Sequence, residues 1–553
     1  MIMMYHIRNK VAVMLIGLAF LVSCHGLEEL NENPNQISAE TVEPNLLVPT
    51  VITGAAKNTL NLGFGDLAGV MQHTQKDGWS GGHNTYDWSN DSHSWNGLYS
   101  ILTNNKTLIQ KAESENLEFH LGLGLVMRAY LFGMITDLWG DAPYSEALRG
   151  NEGAAFFDAA FDDQKDIYLG ILDDLARANT LLSKSQDSYF GIKGAQDVLY
   201  AGSVAKWRKF ANSLALRYYM RLSEKEPGLA EDGIKRITTN PGQYPLILNA
   251  ADDAAMAYVG NTGNDSWPTN TKFDTDSQGA YFRIKIAETL VEVLKSLDDP
   301  RLGVWANKVG IPLVLDAGAP DGTDYMLDGE RHVSQDIVDA YEDVVGVPVN
   351  YAKDYIGLPT AITLGPAFNL KKEFKQGSFN PHVSQLNDIY KEAKGPLLKA
   401  RLLSAAEVHF ILAEAALKGW VSGSPEGHYN EGIKQSLETW GVGGSYNDYI
   451  TGARYGGLED IMLQKWIANW TSAAEAWFDY RRTGFPNLQT GEASKRDALP
   501  LRFYYHINEI DTNSENADAA ISKLDATQFK GEDTSNNSAW SKMWVLQGTG
   551  KPY

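Results

Sequence analysis

The sequence predicts a mainly α-helical protein in which pairs of long helices form a scaffold overlaid by loops and short strands. Apolar residues recur every three to four positions in several long segments, which is typical of amphipathic helices. Glycine, proline, asparagine and aspartate dominate the stretch between about residues 240 and 380, which favours loops there. Of the 553 residues 43% are apolar, so the chain is long and apolar enough to bury a large core.

The periodic segments come in neighbouring pairs. In residues 166–182, for example, Ile167, Ile171 and Leu175 share one face of a helix. The predicted helices cover residues 95–112 and 121–138, 166–182 and 204–222, 402–417 and 428–440, with one further helix at 458–480. Pairs of this length predict a tetratricopeptide-type scaffold, although the sequence shows no strict repeat consensus.

The loop-rich insert at about residues 240–380 is predicted to contain one clear helix, at 282–297, and short strands such as the apolar run 312–315. We expect it to lie over the helical frame, where loops usually lie. No Pro-, Ser- or Gly-rich linker divides the chain after the N-terminal segment. Residues 41–553 are therefore predicted to form a single domain.

The N-terminus has the pattern of a lipoprotein signal. A short basic stretch precedes the apolar run 11–22, which is too short to cross a membrane as a helix and suits the apolar part of a signal peptide. The run ends in Leu-Val-Ser-Cys, which resembles the bacterial lipobox. We therefore predict a signal peptide at residues 1–23, lipid attachment (diacylglycerol and palmitate-type acyl chains) at Cys24, and an acidic tether over residues 24–40.

Cysteine content and charge exclude several classes of protein. Cys24 is the only cysteine, so the chain cannot form an intramolecular disulfide, and a structural zinc site has few ligands to draw on. The formal net charge of −21, with no basic stripe, argues against binding to nucleic acid or to anionic membrane surfaces.

Catalytic and metal-binding motifs are weak. Residues 78–82 match the G-x-S-x-G spelling of a hydrolase elbow, but polar sequence surrounds them rather than a buried strand and a helix. The aspartates of the loop 316–330 could hold calcium, yet their spacing is irregular and favours a solvated acidic loop. The sequence therefore predicts no catalytic residue, cofactor or metal.

Aromatic residues make up 11% of the chain and fall into two groups. Trp466, Trp470 and Trp477 have helical spacing and are predicted to pack in the core. The second group lies in polar, glycine-rich sequence, where flat rings beside amides and carboxylates suit sugars. The predicted sugar-stacking surface consists of Trp79, Asn84, Tyr86, Asp87, Trp88 and Trp267, and burial of these aromatic rings in the core is the alternative.

Four segments together resemble the SusD/RagB-type nutrient-binding outer-membrane lipoproteins. They are LNENPN at 30–35, TDLWGDAPY at 136–144, KWRKFANSL at 206–214 and AEAWFDYRRTGFP at 474–486. In the last segment Arg481 and Arg482 follow two acids near a helix end, where Gly484 can cap the helix and Pro486 prevents its continuation. We predict a structural role for both arginines.

The resemblance implies a SusD-like helical fold, a position on the extracellular side of the outer membrane, and a SusC-like TonB-dependent transporter as partner. Members of the family bind oligosaccharides or peptides and are not catalytic. The sequence thus predicts a non-catalytic lipoprotein that captures oligosaccharides. A peptide-binding member of the same family and a surface hydrolase remain as alternatives.

Overall fold

The structure, a computed structural model, describes residues 42–78, 80–274, 279–372 and 375–553. Its longer helices are α1 Pro44–Gly63, α2 Asn96–Ser114, α3 Glu118–Trp139, α4 Gln164–Leu181, α5 Val204–Arg221, α6 Pro227–Thr239, α7 Glu288–Ser296, α8 Gln335–Val345, α9 Ala405–Leu417, α10 Pro425–Thr439, α11 Leu458–Ala468, α12 Ala473–Thr483 and α13 Ser514–Ser522. Shorter helices lie at Asp66–Val70, Gly81–Asn84, Gly279–Arg283, Leu302–Trp305, Tyr446–Gly452 and Ile507–Thr512.

The strands are short. They are β1 Thr74–Lys76, β2 Ala142–Pro143, β3 Phe161–Asp162, β4 Ala254–Ala257, β5 Ile284–Ile286, β6 Leu313–Leu315, β7 Asp324–Leu327, β8 Glu330–Val333 and β9 Lys399–Leu403. They form two-stranded ribbons, β1–β5, β2–β3 and β4–β9, and one three-stranded sheet in the order β6–β8–β7. The mainly α-helical fold class is confirmed.

The helices pack as the sequence predicts. Each of α1 to α5 contacts the next helix along the chain, and α9 packs on both α10 and α11. One apolar cluster runs from Leu47 to Leu546, and Trp466, Trp470 and Trp477 are all buried in it, which confirms their predicted role.

Two predicted helices are wrong in detail. The segment 458–480 is not one helix, because the chain turns between α11 and α12 at Thr471, whose φ is +71°. This turn allows the indole of Trp470 to donate to the hydroxyl of Tyr390 at 2.7 Å. The segment 282–297 contains the end of a short helix, then β5 and α7, because β5 pairs with β1 and leaves the helical path.

Helix α3 is the longest helix of the described residues and carries an extended apolar stretch. By length and composition it could cross a membrane. However, 94% of its 18-residue apolar stretch is buried inside the protein, so it is a core helix. Its Arg128 reaches the carboxylate of Asp174 on α4. The one charged side chain in the middle of this helix is therefore paired.

Buried ion pairs join the helices of the scaffold. The guanidinium of Arg217 on α5 lies 2.7 Å from the carboxylate of Glu407 on α9, and both side chains are 3% exposed. Arg221 reaches Glu475 on α12 at 2.5 Å. A buried charge without a partner costs several kcal/mol, so these pairs fix how the helices meet.

The two arginines near the end of α12 are structural, as predicted. Arg482 pairs with Glu414 at 2.5 Å and with Asp479 at 3.1 Å. Arg481 donates to the backbone carbonyls of Asp137 and Leu501 at 2.8 and 2.6 Å. Helix α12 ends at Thr483, where a glycine with φ of +82° forms the C-cap, so the predicted helix end is confirmed.

Candidate ligand-binding site

The described residues of the loop 77–91, which do not include Trp79, bury their aromatic rings against the core instead of presenting them to solvent. Trp88 is fully buried, lies edge-on to Phe503 with 5.1 Å between ring centroids, and donates from Nε1 to the carbonyl of Gly82 at 2.7 Å. Tyr86 is also fully buried, and its φ of +57° reverses the chain. The predicted exposed sugar platform is therefore wrong for these two rings.

The two polar residues predicted in this loop have different roles. The amide of Asn84 is buried and holds strand β1, because it accepts from Lys76 N at 2.9 Å and donates to Lys76 O at 2.7 Å. Asp87 is exposed and lies 3.2 Å from the ammonium of Lys495. Among the rings of this loop that the structure describes, none is exposed beside either side chain.

Trp267 is a core residue as well. It is fully buried, and its ring lies within 6 Å of three other rings, those of Phe64 at 5.7 Å, Tyr258 at 5.8 Å and Tyr390 at 5.9 Å. Phe64 and Tyr390 come from distant parts of the chain, so the polar sequence around Trp267 does not indicate its burial. Its predicted role in an exposed stacking surface is wrong.

Two further predicted residues lie outside the described part of the chain. They are Trp79 and Cys24. The ligand-binding role of Trp79 and the lipidation of Cys24 stay predictions.

Exposed aromatic rings do line a cavity in the loop-rich region. Phe379 is 54% exposed and Tyr325 is 39% exposed, and both line one cavity of about 600 Å³. Tyr325 stacks on His332 at 4.9 Å, and Phe379 lies 6.0 Å from the ring of Phe282. A cavity of this size with flat exposed rings suits a small ligand such as an oligosaccharide.

A tight hairpin positions Tyr325. Strands β7 and β8 pair antiparallel, with Tyr325 opposite His332, and the two turn residues Asp328 and Gly329 have φ of +50° and +84°. An Asp-Gly turn between two strands is a strong hairpin signal. The prediction of a solvated acidic loop over residues 316–330 is therefore wrong at the hairpin, whose turn includes Asp328.

Polar groups form the wall beside these rings. Arg331 donates from Nε and Nη2 to both oxygens of Asp324 at 2.9 and 3.1 Å, and from Nη1 to the carbonyl of Leu370 at 2.6 Å. Its hydrogen bonds lower the pKa of Asp324 to about 2, so the carboxylate stays ionised. The same Nη1 lies 3.1 Å from Nε2 of His382, and the ammonium of Lys372 lies 3.0 Å from Asp324.

Burial lowers the pKa of His382, and the nearby guanidinium adds to this effect. Its Nδ1 lies 2.7 Å from the carbonyl of Ile311. The ring therefore acts as a neutral acceptor at Nε2 and as a donor at Nδ1. Both of its nitrogens are used within the protein, and the ring is held in place at the base of the wall.

A second, smaller cavity of about 210 Å³ is lined in part by Lys76, Arg283 and Asn61. The segment 375–379 carries Phe379, which lines the first cavity. Its backbone at Gly377 donates to Asp77 at 2.9 Å, next to strand β1. This hydrogen bond ties the segment that carries Phe379 to the residue that follows strand β1.

The motifs that suggest catalysis are not organised as catalytic sites. Strand β1, which precedes residues 78–82, has three residues and pairs antiparallel with β5 alone, unlike the sheet of an α/β-hydrolase. Within the described residues, no group of three or more His, Cys, Asp or Glu side chains could hold a metal ion. In the loop 316–330, Asp324 is engaged by Arg331. The arrangement on this face is suited to binding.

Comparisons with known proteins agree with the fold. The chain matches the SusD-like family described as "Starch-binding associating with outer membrane" over residues 34–342 and 350–506. A SusD homolog from Bacteroides fragilis has a TM-score of 0.68 at 21% identity, with 91% of this chain and 99% of that chain covered. A SusD homolog from Bacteroides ovatus has a TM-score of 0.65 at 21% identity, with 90% and 99% covered.

A third solved structure is described as a chitin-binding SusD homolog from Flavobacterium johnsoniae. Its TM-score is 0.66 at 19% identity, and 91% of this chain and 99% of that chain are covered. At identities this low the likeness concerns the fold. No curated protein matches the chain by sequence.

Proposed function

Because the chain belongs to the SusD-like family of starch-binding proteins that associate with the outer membrane, we propose that it is a non-catalytic surface lipoprotein that captures oligosaccharides. We place the capture site at the cavity beside Tyr325 and Phe379. The captured oligosaccharide passes to a SusC-like TonB-dependent transporter.

One observation supports this site above all. Two exposed rings, Phe379 and Tyr325, flank a cavity whose wall is held rigid by the hydrogen bonds of Arg331. Sugar rings have apolar faces that stack on aromatic rings and hydroxyls that need polar partners, and this cavity offers both. A similar-sized cavity of about 640 Å³, lined by residues such as Asp253 and Arg401, has no exposed aromatic ring.

The proposed anchor is the lipid on Cys24, followed by the tether of residues 24–40 and a single domain from residue 41. The described chain begins at Val42, only a short tether away from that cysteine. We expect Cys24→Ala to release the folded protein from washed membranes of cells lacking the transporter, because acyl chains alone would hold it there. Copurification with the transporter in mild detergent tests the partnership, and recovery of the protein alone with an intact transporter would contradict it.

The ligand site is tested with Phe379→Ala. We expect binding of starch or chitin fragments, measured by calorimetry, to weaken about fivefold or more, because an exposed binding aromatic typically contributes about 1 kcal/mol or more. The melting temperature should change little, since the ring is half exposed. The matched control is Phe190→Ala, which removes an 81% exposed ring that lines neither cavity.

Unchanged affinity in Phe379→Ala, together with normal folding, would move the capture site elsewhere. Loss of affinity in both variants would point to a general effect of lost apolar surface. Failure of all the glycans to bind the wild-type protein would contradict oligosaccharide capture itself.

A peptide ligand is the second candidate, and one feature favours it. Strand β7 lies at the edge of the three-stranded sheet, with all four of its residues exposed. An extended peptide can add a strand to such an edge through main-chain hydrogen bonds. Tight binding of unstructured peptides, with no binding of glycans, would favour this function. Release of cleaved product from either kind of ligand would favour a hydrolase.

A further inference from the structure

The first residue of the loop 77–91 places a buried carboxylate behind the proposed capture site. Asp77 is 2% exposed and does not line the cavity beside Tyr325 and Phe379. Its backbone N–H donates to the carbonyl of Arg283 at 3.0 Å, which continues the pairing of β1 with β5. Asp77 is therefore fixed to the β1–β5 ribbon.

The carboxylate of Asp77 holds residues 375–379, the Phe379 segment. Its Oδ1 accepts a hydrogen bond from the backbone N–H of Gly377 at 2.9 Å. Of the five residues of this segment only Gly377 is buried, and its φ of +65° is one that glycine adopts readily. The chain therefore turns inward at Gly377 to reach Asp77, two residues before the exposed ring.

Lys371 joins the same carboxylate to the same segment a second time. Its side chain is buried, and the ammonium lies 3.4 Å from Oδ2 of Asp77. The ammonium also donates to the backbone carbonyls of Lys375 at 2.9 Å and Ser378 at 3.3 Å. An ammonium has three N–H donors, so all three are used on Asp77 and on the Phe379 segment.

A second lysine contacts both Asp77 and the residue on which Phe379 packs. The buried ammonium of Lys285 lies 3.9 Å from the carboxylate of Asp77 and donates to the backbone carbonyl of Phe282. The ring of Phe282 lies 6.0 Å from that of Phe379. Burial lowers the pKa of Lys285 to about 7, so this lysine is only partly charged at neutral pH. Lys371, which is also closer, is therefore the main cationic partner of Asp77.

The chain is fixed on the other side of Phe379 as well. The side-chain amide of Asn380 is buried and donates to the backbone carbonyl of Phe368 at 3.0 Å. The exposed ring of Phe379 thus lies between anchored backbone on both sides. A side chain whose backbone is already ordered loses less freedom when a ligand binds, which favours affinity.

We propose that Asp77 is a positioning residue of the capture site, which holds the backbone that presents Phe379 to the ligand through Gly377 and Lys371. The inference rests on the proposed function and adds a residue that does not line the cavity. Both hydrogen bonds to the carboxylate are charge-assisted and are stronger than neutral ones. The loop 77–91 thus contributes to capture through its buried first residue.

A double-mutant cycle on the full-length protein tests this role. The probes are maltooligosaccharides and chitooligosaccharides, and calorimetry measures their affinity for Asp77→Ala, Phe379→Ala and the double variant. We expect Asp77→Ala to weaken binding about fivefold, the loss expected when the contribution of the ring is removed. The double variant should bind less than about twofold more weakly than Phe379→Ala alone, because two residues that act through one contact are not additive.

Two further variants separate positioning from stability. Asp77→Asn keeps an oxygen that can accept from Gly377 but loses the ion pair with Lys371, so it should weaken binding only about twofold to threefold. The matched control is Asp479→Asn, which removes the charge of another buried aspartate, 2.7 Å from the ammonium of Lys465. It should lower the melting temperature and leave glycan affinity unchanged.

Hydrogen exchange gives a measurement that needs no ligand. In Asp77→Ala the amides of the Phe379 segment should exchange faster than in the wild-type protein, because the N–H of Gly377 loses its acceptor. Helix α5 should exchange at its wild-type rate in the same variant. Unchanged exchange in the Phe379 segment would show that Asp77 does not hold it.

Each other result overturns a specific statement. Normal affinity in Asp77→Ala, together with a loss in Phe379→Ala, would overturn the positioning role and leave the capture site intact. Losses that multiply in the double variant would show that Asp77 does not act through Phe379. If Asp77→Ala does not fold, the cycle with Asp77→Asn decides, because its smaller loss should disappear when Phe379 is already truncated. Unchanged affinity in Phe379→Ala, or no binding of either glycan to the wild-type protein, would overturn the proposed function itself.

Discussion

Ion pairs have one role in the helical scaffold and another in the loop-rich region. In the scaffold, the side chains of Arg482 and Glu414 are 3% and 0% exposed. They contact each other, and Arg482 also contacts Ser223. At the cavity, Asp324 is 24% exposed and its partner Lys372 is 66% exposed. Buried pairs of this kind fix a shape, whereas pairs at a cavity edge leave donors available to a ligand.

The largest effect is expected at Trp88. The sequence predicts this residue in a ligand-binding loop, whereas the structure places it in the core. We expect Trp88→Ala to lower the free energy of unfolding by up to about 5 kcal/mol, because it leaves a large cavity and an unpaired carbonyl at Gly82. Denaturant unfolding measures this. If stability is nearly unchanged and glycan binding is weaker, Trp88 belongs to the ligand-binding surface and not to the core.

The next largest effect is expected in the buried ion pairs. Glu414→Gln should lower the free energy of unfolding by about 3 kcal/mol, because it leaves the guanidinium of Arg482 buried with one acidic partner instead of two. The control is Glu118→Gln, which removes an exposed pair with Lys184 and should cost less than about 1 kcal/mol. Similar losses in both variants would contradict the contrast between buried and exposed pairs.

Acid should weaken the core through its buried histidines. Burial lowers the pKa of His73 to about 3, whereas an unfolded chain protonates the same ring near pH 6.5. The contribution of neutral His73 to the free energy of unfolding is therefore present above pH 6.5 and is lost as the pH falls from 6.5 towards 3. His73→Gln should remove about 2 kcal/mol of the loss between pH 6.5 and 4.5, measured from denaturant midpoints. His332→Gln, at the exposed hairpin, is the control, and equal slopes in both variants would refute the assignment.

The smallest effect is expected at Asp87, the exposed residue of the loop 77–91. Its surface pair with Lys495 should contribute no more than about 0.5 kcal/mol, so Asp87→Ala should leave stability nearly unchanged. Glycan affinity should not change either, because Asp87 does not line the cavity of the proposed site. A clear loss of glycan affinity in this variant would show that part of the loop 77–91 contacts the ligand.

The elements that the sequence predicted well are those with local signals. The periodicity of residues 166–182 and 204–222 marks α4 and α5 almost to the residue, since the burial of one helix face needs only the pattern itself. The arginines at 481 and 482 were read as structural from their position near a helix end. Their actual partners, such as Glu414 and Asp137, come from other helices and could not be named.

The binding face could not be predicted because exposure depends on distant contacts. Trp88 and Trp267 have polar neighbours in sequence, yet rings from remote segments bury them. Phe379 has a similar polar neighbourhood and remains exposed. One local signal for the site was present, the Asp-Gly turn at Asp328, which marks the hairpin that carries Tyr325.

Helix α3 has a consequence for secretion. An exported chain passes the inner membrane before it folds, and a 22-residue apolar segment such as Glu118–Trp139 could then stop in the bilayer. Arg128, near its middle, opposes such arrest, since an arginine at the centre of a membrane-spanning helix costs roughly 2.5–3.5 kcal/mol. We expect Arg128→Leu to leave part of the chain inserted in the inner membrane, as judged by fractionation, and complete export of this variant would show that the charge is dispensable. After folding, the pairing of Arg128 with Asp174 neutralises the charge that we expect to oppose arrest during export.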